Sequence, residues 1–211
     1  MPAPRRRPDG PSRPTAAERR RELLALCAPV LAERGPLLVT HQELADAVGW
    51  PLARFSRDFP DPIAVFSELL GQLNQTLVPD LGAADPATAL GDVLTRATAL
   101  GRAGDPKLRC LLWGLATPHH PQLRVSLVAF RTGLSMRLES IIRAGQQAGV
   151  FRRGLAPQQA AEDWCRAVMG VALLAPLSAG VSKRSDDSRS RLSEEAPPFD
   201  ALLNGVLKTD V

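Results

Sequence analysis

The chain has 211 residues, 45% hydrophobic and 23% charged, which is enough apolar length to bury a core without a metal or disulfide to staple it. With 26 basic against 22 acidic residues the net charge is +4, a balance that admits a polyanionic partner. Three scattered cysteines, Cys27, Cys110 and Cys165, exclude a disulfide framework and fit reduced thiols in a cytoplasmic protein.

Residues 1–15 are rich in Pro, Arg and Gly and cannot bury enough apolar surface to order themselves, so a basic tail is expected there. Seven arginines fall between Pro2 and Arg21 against two acids. No apolar stretch follows them, so no secretory signal is expected. Leu23, Leu26, Cys27, Val30 and Leu31 then recur at helical steps, and Gly35 with Pro36 ends this first helix.

Thr40 and Glu43 form a Thr-x-x-Glu capping box, which starts a second helix running to Val48, where Gly49 stops it. Pro51 fits the first position of a third helix with Leu52, Phe55 and Phe59 on its inner side. The aromatic residues Trp50, Phe55 and Phe59 are expected to pack a small three-helix core. Arg54, Ser56 and Arg57 are left outward.

Asp61-Pro62, Asp85-Pro86 and Asp105-Pro106 repeat one device, a capping aspartate before a first-turn proline, and each predicts a helix. The stripes that follow agree: Ile63, Phe66, Leu70, Leu73 and Leu77; Leu90, Val93, Leu94 and Ala97; Leu108, Leu111, Leu112 and Leu115. A longer helix after Pro121 carries Leu127, Leu134, Leu138, Ile141 and Ile142 and ends near Gly149. Pro157 opens another, over about 158–177, apolar nearly all round in its second half. That breadth needs either a central position or a partner subunit to cover it. The apolar run from Ala167 is too short to span a bilayer and is interrupted by Pro176, so no membrane association is expected. Residues 181–198 read as a loop, and Phe199, Leu202, Leu203 and Val206 mark a last helix. The expected fold is all-α, with about nine helices.

Thr40, Leu44-Ala45, Val48-Gly49, Phe55 and Phe59 resemble, without a gap, the TetR-family pattern Thr-x-x-x-Ile-Ala-x-x-Ala-Gly-Val-Ser-x-Gly-x-Leu-Tyr-x-His-Phe. The family tyrosine is Ser56 here, the valine and serine of the turn are Trp50 and Pro51, and a common lysine falls at Pro62. The resemblance implies a helix-turn-helix DNA-binding domain over residues 16–60 and a helical ligand-binding and dimerisation domain over 61–211. It further implies a homodimeric regulator, expected to be a repressor, on a palindromic operator in double-stranded DNA, released by a small-molecule effector. The implied DNA contacts are Thr40, His41 and Gln42 at the first helix of the motif, and Trp50, Pro51, Leu52, Arg54, Ser56 and Arg57 at the second.

Each of these residues also has a plainer role. Arg54 reads a guanine edge, touches phosphate only, or is a solvated arginine. Thr40 meets phosphate or only caps its helix. Trp113, Phe130, Trp164, Cys165 and Met169 are candidate pocket residues for an apolar effector, or core packing. His119 and His120 are adjacent, not at a metal-sharing helical spacing, so no metal and no cofactor is expected. No catalytic constellation is present in the sequence, and an enzyme is not expected. The alternative reading is a helix-turn-helix protein-interaction module with weak or no specific DNA binding.

Overall fold

The computed structural model describes residues 15–78 and 85–181, with side chains to residue 175. Within them lie eight helices and no strand: α1 (Ala16–Arg34), α2 (His41–Ala47), α3 (Leu52–Asp58), α4 (Pro62–Leu77), α5 (Pro86–Ala103), α6 (Pro106–Ala116), α7 (Pro121–Gln147) and α8 (Pro157–Val181). The basic tail, nearly all of the 181–198 loop and the last expected helix lie outside the described residues; Val181 itself ends α8.

The helix starts follow from local chemistry. Asp61, Asp85 and Asp105 each accept a hydrogen bond from a first-turn amide while proline occupies the adjoining position, which needs no N–H. Thr40 and Glu43 close the expected capping box, and Thr15 with Glu18 closes a second that starts α1 at Ala16. Val48 is the C-cap of α2 rather than its last residue. Pro51 caps α3 from outside the first turn, so α3 begins at Leu52.

Between α2 and α3, Gly49 takes φ +68°, a left-handed conformation that a side chain would resist, and the turn it makes brings the Trp50 amide back to the Ala45 carbonyl at 2.9 Å. Helices α2 and α3 pack on each other, and α1 packs on α2, α4 and α6. Helix α8 lies against both α5 and α7, which gives its broad apolar surface two neighbours within one chain. One continuous core runs from Leu24 of α1 to Ala172 of α8.

Three apolar stripes are placed differently from the sequence expectation. On α1 the buried residues are Leu24, Cys27, Ala28, Leu31 and Ala32, while Leu26 is 52% exposed. The helix is rotated toward α4 and α6, which cover that side. Leu112 and Leu115 of α6 are each 46% exposed, because α1 and α4 cover the side bearing Leu108, Cys110, Leu111 and Gly114. Leu52 of α3 is exposed as well, leaving Phe55 and Phe59 to fill the core beneath it.

Candidate nucleic-acid interface

Helix α3 is amphipathic over seven residues. Phe55 is fully buried, 5.1 Å from Phe59 and edge-on to His41 at 6.0 Å between ring centroids. On the opposite side Pro51, Leu52, Arg54 and Arg57 are exposed, and Ser56 is half-buried. Arg54 and Arg57 lie one turn apart and project from one face.

Trp50 does not join the three-helix core. It is half-buried at the rim, and the Arg54 guanidinium carbon lies 3.8 Å above the centre of its ring. A planar cation over an indole face is attracted by the ring quadrupole and loses freedom there. The turn residue therefore holds an arginine of the following helix.

At the start of α2, Thr40 donates from its hydroxyl to Glu43 at 2.9 Å, and its amide donates to the same carboxylate at 2.8 Å. Glu43 also ion-pairs with Arg34 at the end of α1. Thr40 is thus a cap engaged with Glu43. His41 turns its ring toward Phe55, with Nε2 buried and unbonded among the described residues. Gln42 is exposed and donates to Asp46 at 2.7 Å.

A contact not evident in the sequence ties this unit to the rest. Arg20 of α1 donates to both oxygens of Glu68 on α4, at 2.7 and 2.5 Å, and to the Asp58 carbonyl at the end of α3 at 3.2 Å. Its guanidinium also lies 4.5 Å from the centre of the Phe59 ring. The paired carboxylate holds the guanidinium above its ordinary pKa, so one permanently charged side chain joins three helices. Its sequence signal, one arginine among several, does not distinguish it.

The five candidate effector residues are spread over three helices, Trp113 on α6, Phe130 on α7 and Trp164, Cys165 and Met169 on α8. Trp113 is half-buried against Gly35 and donates from Nε1 to the Ala32 carbonyl at 3.0 Å, which makes it a strut between α6 and α1. Phe130 is buried, and its carbonyl accepts from Asn74 at 2.9 Å. Trp164 and Cys165 are buried in α8 and Met169 packs beside the core; the Trp164 Nε1 has no hydrogen-bond partner among the described residues. A cavity of about 480 Å³ lies elsewhere, between α1, α4 and α6, and none of the five lines it. His119 is exposed, and His120 sits at the N-cap of α7 without a side-chain capping bond. Among the described residues no three His, Cys, Asp or Glu side chains stand together as a metal site, and no helix is long and apolar enough to cross a membrane.

No family model matches this sequence, and no curated protein matches it. Solved structures do match in fold. A protein of Vibrio parahaemolyticus assigned to the TetR family of transcriptional regulators has 17% identity and a TM-score of 0.62, covering 90% of this chain and all of its own. One from Rhodococcus sp., assigned to the same family, has 21% identity and a TM-score of 0.61 over 77% of this chain and 89% of its own. AibR, solved in complex with isovaleryl coenzyme A and operator DNA, has 19% identity and a TM-score of 0.51 over 74% of this chain and 86% of its own. The helix order, the glycine turn and these likenesses agree: the chain has the fold of the TetR-family transcriptional regulators.

Proposed function

We propose that this chain is a DNA-binding transcriptional regulator, a cytoplasmic homodimeric repressor that holds a palindromic operator until a small-molecule effector releases it. The observation that carries the reading is the outward face of α3, where Arg54 lies over Trp50 and Arg57 stands one turn away. In a helix-turn-helix the second helix enters the major groove and its exposed side chains meet base edges. An arginine already held flat loses little freedom on binding, and its fork matches O6 and N7 of guanine. Arg57 and the arginines of the N-terminal tail, residues 1–15, add phosphate neutralisation.

Two such helices in a symmetric dimer would enter successive major grooves about 34–36 Å apart. Leu174 of α8 is 61% exposed, an apolar group suited to the interface between copies. AibR, a fold neighbour bound to both operator DNA and an acyl-coenzyme A, supports the pairing of a DNA partner with an effector. The unspent Trp164 N–H offers an effector a donor inside the helical core. An effector can shift the DNA equilibrium only by its differential affinity for the two conformers.

The test is fluorescence anisotropy of the full chain on DNA from upstream of its own gene, over a salt series and against unrelated competitor. Saturable binding that the competitor does not displace, weakening linearly in log affinity against log salt, is the expected result. If every duplex binds equally weakly, the DNA reading is wrong. A protein-interaction module then takes its place, a role that the exposed Leu112 and Leu115 of α6 favour.

A further inference from the structure

The cavity between α1, α4 and α6 has a definite origin in the sequence. Arg21, Ala25 and Ala28 occupy one face of α1 at i, i+4 and i+7, and Leu69, Gln72 and Thr76 occupy the facing side of α4 at i, i+3 and i+7. Alanine carries too little side chain to fill the space between two helices, so a trough of about 480 Å³ remains, within the range of small-molecule sites. Buried Ala28 and Leu69 give it an apolar floor. Gln75 adds an amide to that of Gln72, and Lys107 at the start of α6 closes one end.

Its electrostatics favour one charge type. Arg21 and Lys107 are both among the lining residues. Of the acids nearby, Glu68 is occupied by Arg20 through both oxygens. Glu18, one turn before Arg21, is bound to the Thr15 amide at 2.6 Å and held below the usual carboxylate pKa by that bond. Asp105 faces Lys107 at 3.7 Å, beyond hydrogen-bond contact, and is already accepting the Lys107 amide at 2.8 Å. Each cation thus faces one carboxylate, Glu18 for Arg21 and Asp105 for Lys107, and both carboxylates already accept a capping amide hydrogen bond.

We propose that this trough is a binding site for a small organic anion, a carboxylate carrying an apolar body, with Arg21 and Lys107 on the carboxylate and Ala28 and Leu69 under the body. The site is separate from the α5, α7 and α8 core that holds Trp164. Its position gives it a lever: Arg21 and Leu69 are the chain neighbours of Arg20 and Glu68, whose clamp reaches the end of α3. A molecule wedged between α1 and α4 strains that clamp and tilts α3. The regulatory consequence rests on the DNA reading above; the binding itself does not.

Occupancy is measured without DNA, by titrating the full chain with the fluorescent anion 1-anilinonaphthalene-8-sulfonate, with octanoate and the uncharged octanol as competitors. Saturable binding displaced by octanoate and not by octanol is expected. Arg21→Gln, at an exposed position, and Lys107→Gln, at a half-buried one, should each weaken binding about tenfold, the worth of one charged hydrogen bond. Ala25→Trp, at an exposed position on the trough wall, should abolish it, and Arg96→Gln on the exposed side of α5 should leave it unchanged. Unaltered binding in the two glutamine variants, displacement by octanol equal to that by octanoate, or no saturable binding overturns the proposal. If Ala25→Trp fails to fold, the glutamine variants decide alone. Octanoate weakening the anisotropy complex of the parent but not of Ala25→Trp would connect the site to DNA, and a failure of DNA binding leaves the fluorescence result standing.

Discussion

Trp113 donates its single N–H to a carbonyl that the helix itself cannot satisfy. The Ala32 carbonyl would ordinarily accept from the residue four positions on, which is Pro36 and has no N–H, so the indole of α6 supplies the missing donor. Trp113→Phe keeps the ring against Gly35 and removes only that donor. The orphaned carbonyl should cost about 1–2 kcal/mol, read as a lower urea midpoint at unchanged m-value. A variant as stable as the parent would show that water replaces the indole. Trp50 makes the complementary case, since its ring supports Arg54 instead of filling the core. Trp50→Ala should leave the unfolding free energy within about 0.5 kcal/mol, as a rim position allows. It should weaken specific DNA binding by about 0.5–2 kcal/mol, the range for a cation–π support. Equal losses on operator and unrelated DNA would limit Arg54 to phosphate contact.

Between elements, α5 approaches α8 closely at Gly101. A Cβ placed on Gly101 would stand 2.3 Å from the Ala172 carbonyl oxygen, a backbone atom that cannot swing aside. Gly101→Ala must therefore part the two helices, although alanine favours the helical state. We expect a net destabilisation of about 1–3 kcal/mol, the usual cost of overpacking, in a calorimetric or urea unfolding series. A stabilised variant would mean that α8 adjusts freely, and the core it shares with α7 would then be looser than its packing implies. The same scale explains what the chain pattern left open in α1. Leu23, Leu24, Leu26, Cys27, Val30 and Leu31 contain two overlapping helical stripes, and the neighbours α4 and α6 select the one through Leu24.

For the whole molecule, one continuous core buries all three thiols. Burial pushes Cys27 and Cys110 up to about 12, and Cys165 is raised by the same cause. The sign follows from proton linkage. Once pH exceeds the unfolded thiol value of about 8.5, the unfolded chain releases protons that the native chain retains. Stability is therefore full below that value and falls as pH rises toward 12. Urea midpoints measured from neutral to alkaline pH should decline over that window, and a thiol reagent at pH 8 should label the cysteines only after denaturation. Prompt labelling of the native protein would place at least one cysteine outside the core.

The order of the eight described helices, most of their starts and the glycine turn between α2 and α3 were legible in the chain, because caps, proline positions and glycine turns act over three or four residues. Asp61, Asp85, Asp105 and Thr40 each do in the structure what their neighbours in sequence require. Which side of a helix is buried is a different kind of fact, since it depends on the direction from which another helix arrives. Hence Leu26, Leu112 and Leu115 face outward, Trp50 supports Arg54, and Trp113 braces α1. The Arg20 clamp joins residues up to 48 positions apart, and the trough is defined by what Ala25 and Ala28 leave unfilled. Local chemistry wrote the elements into the sequence; only packing, which brings distant residues within contact range, decided the faces, the clamp and the cavity.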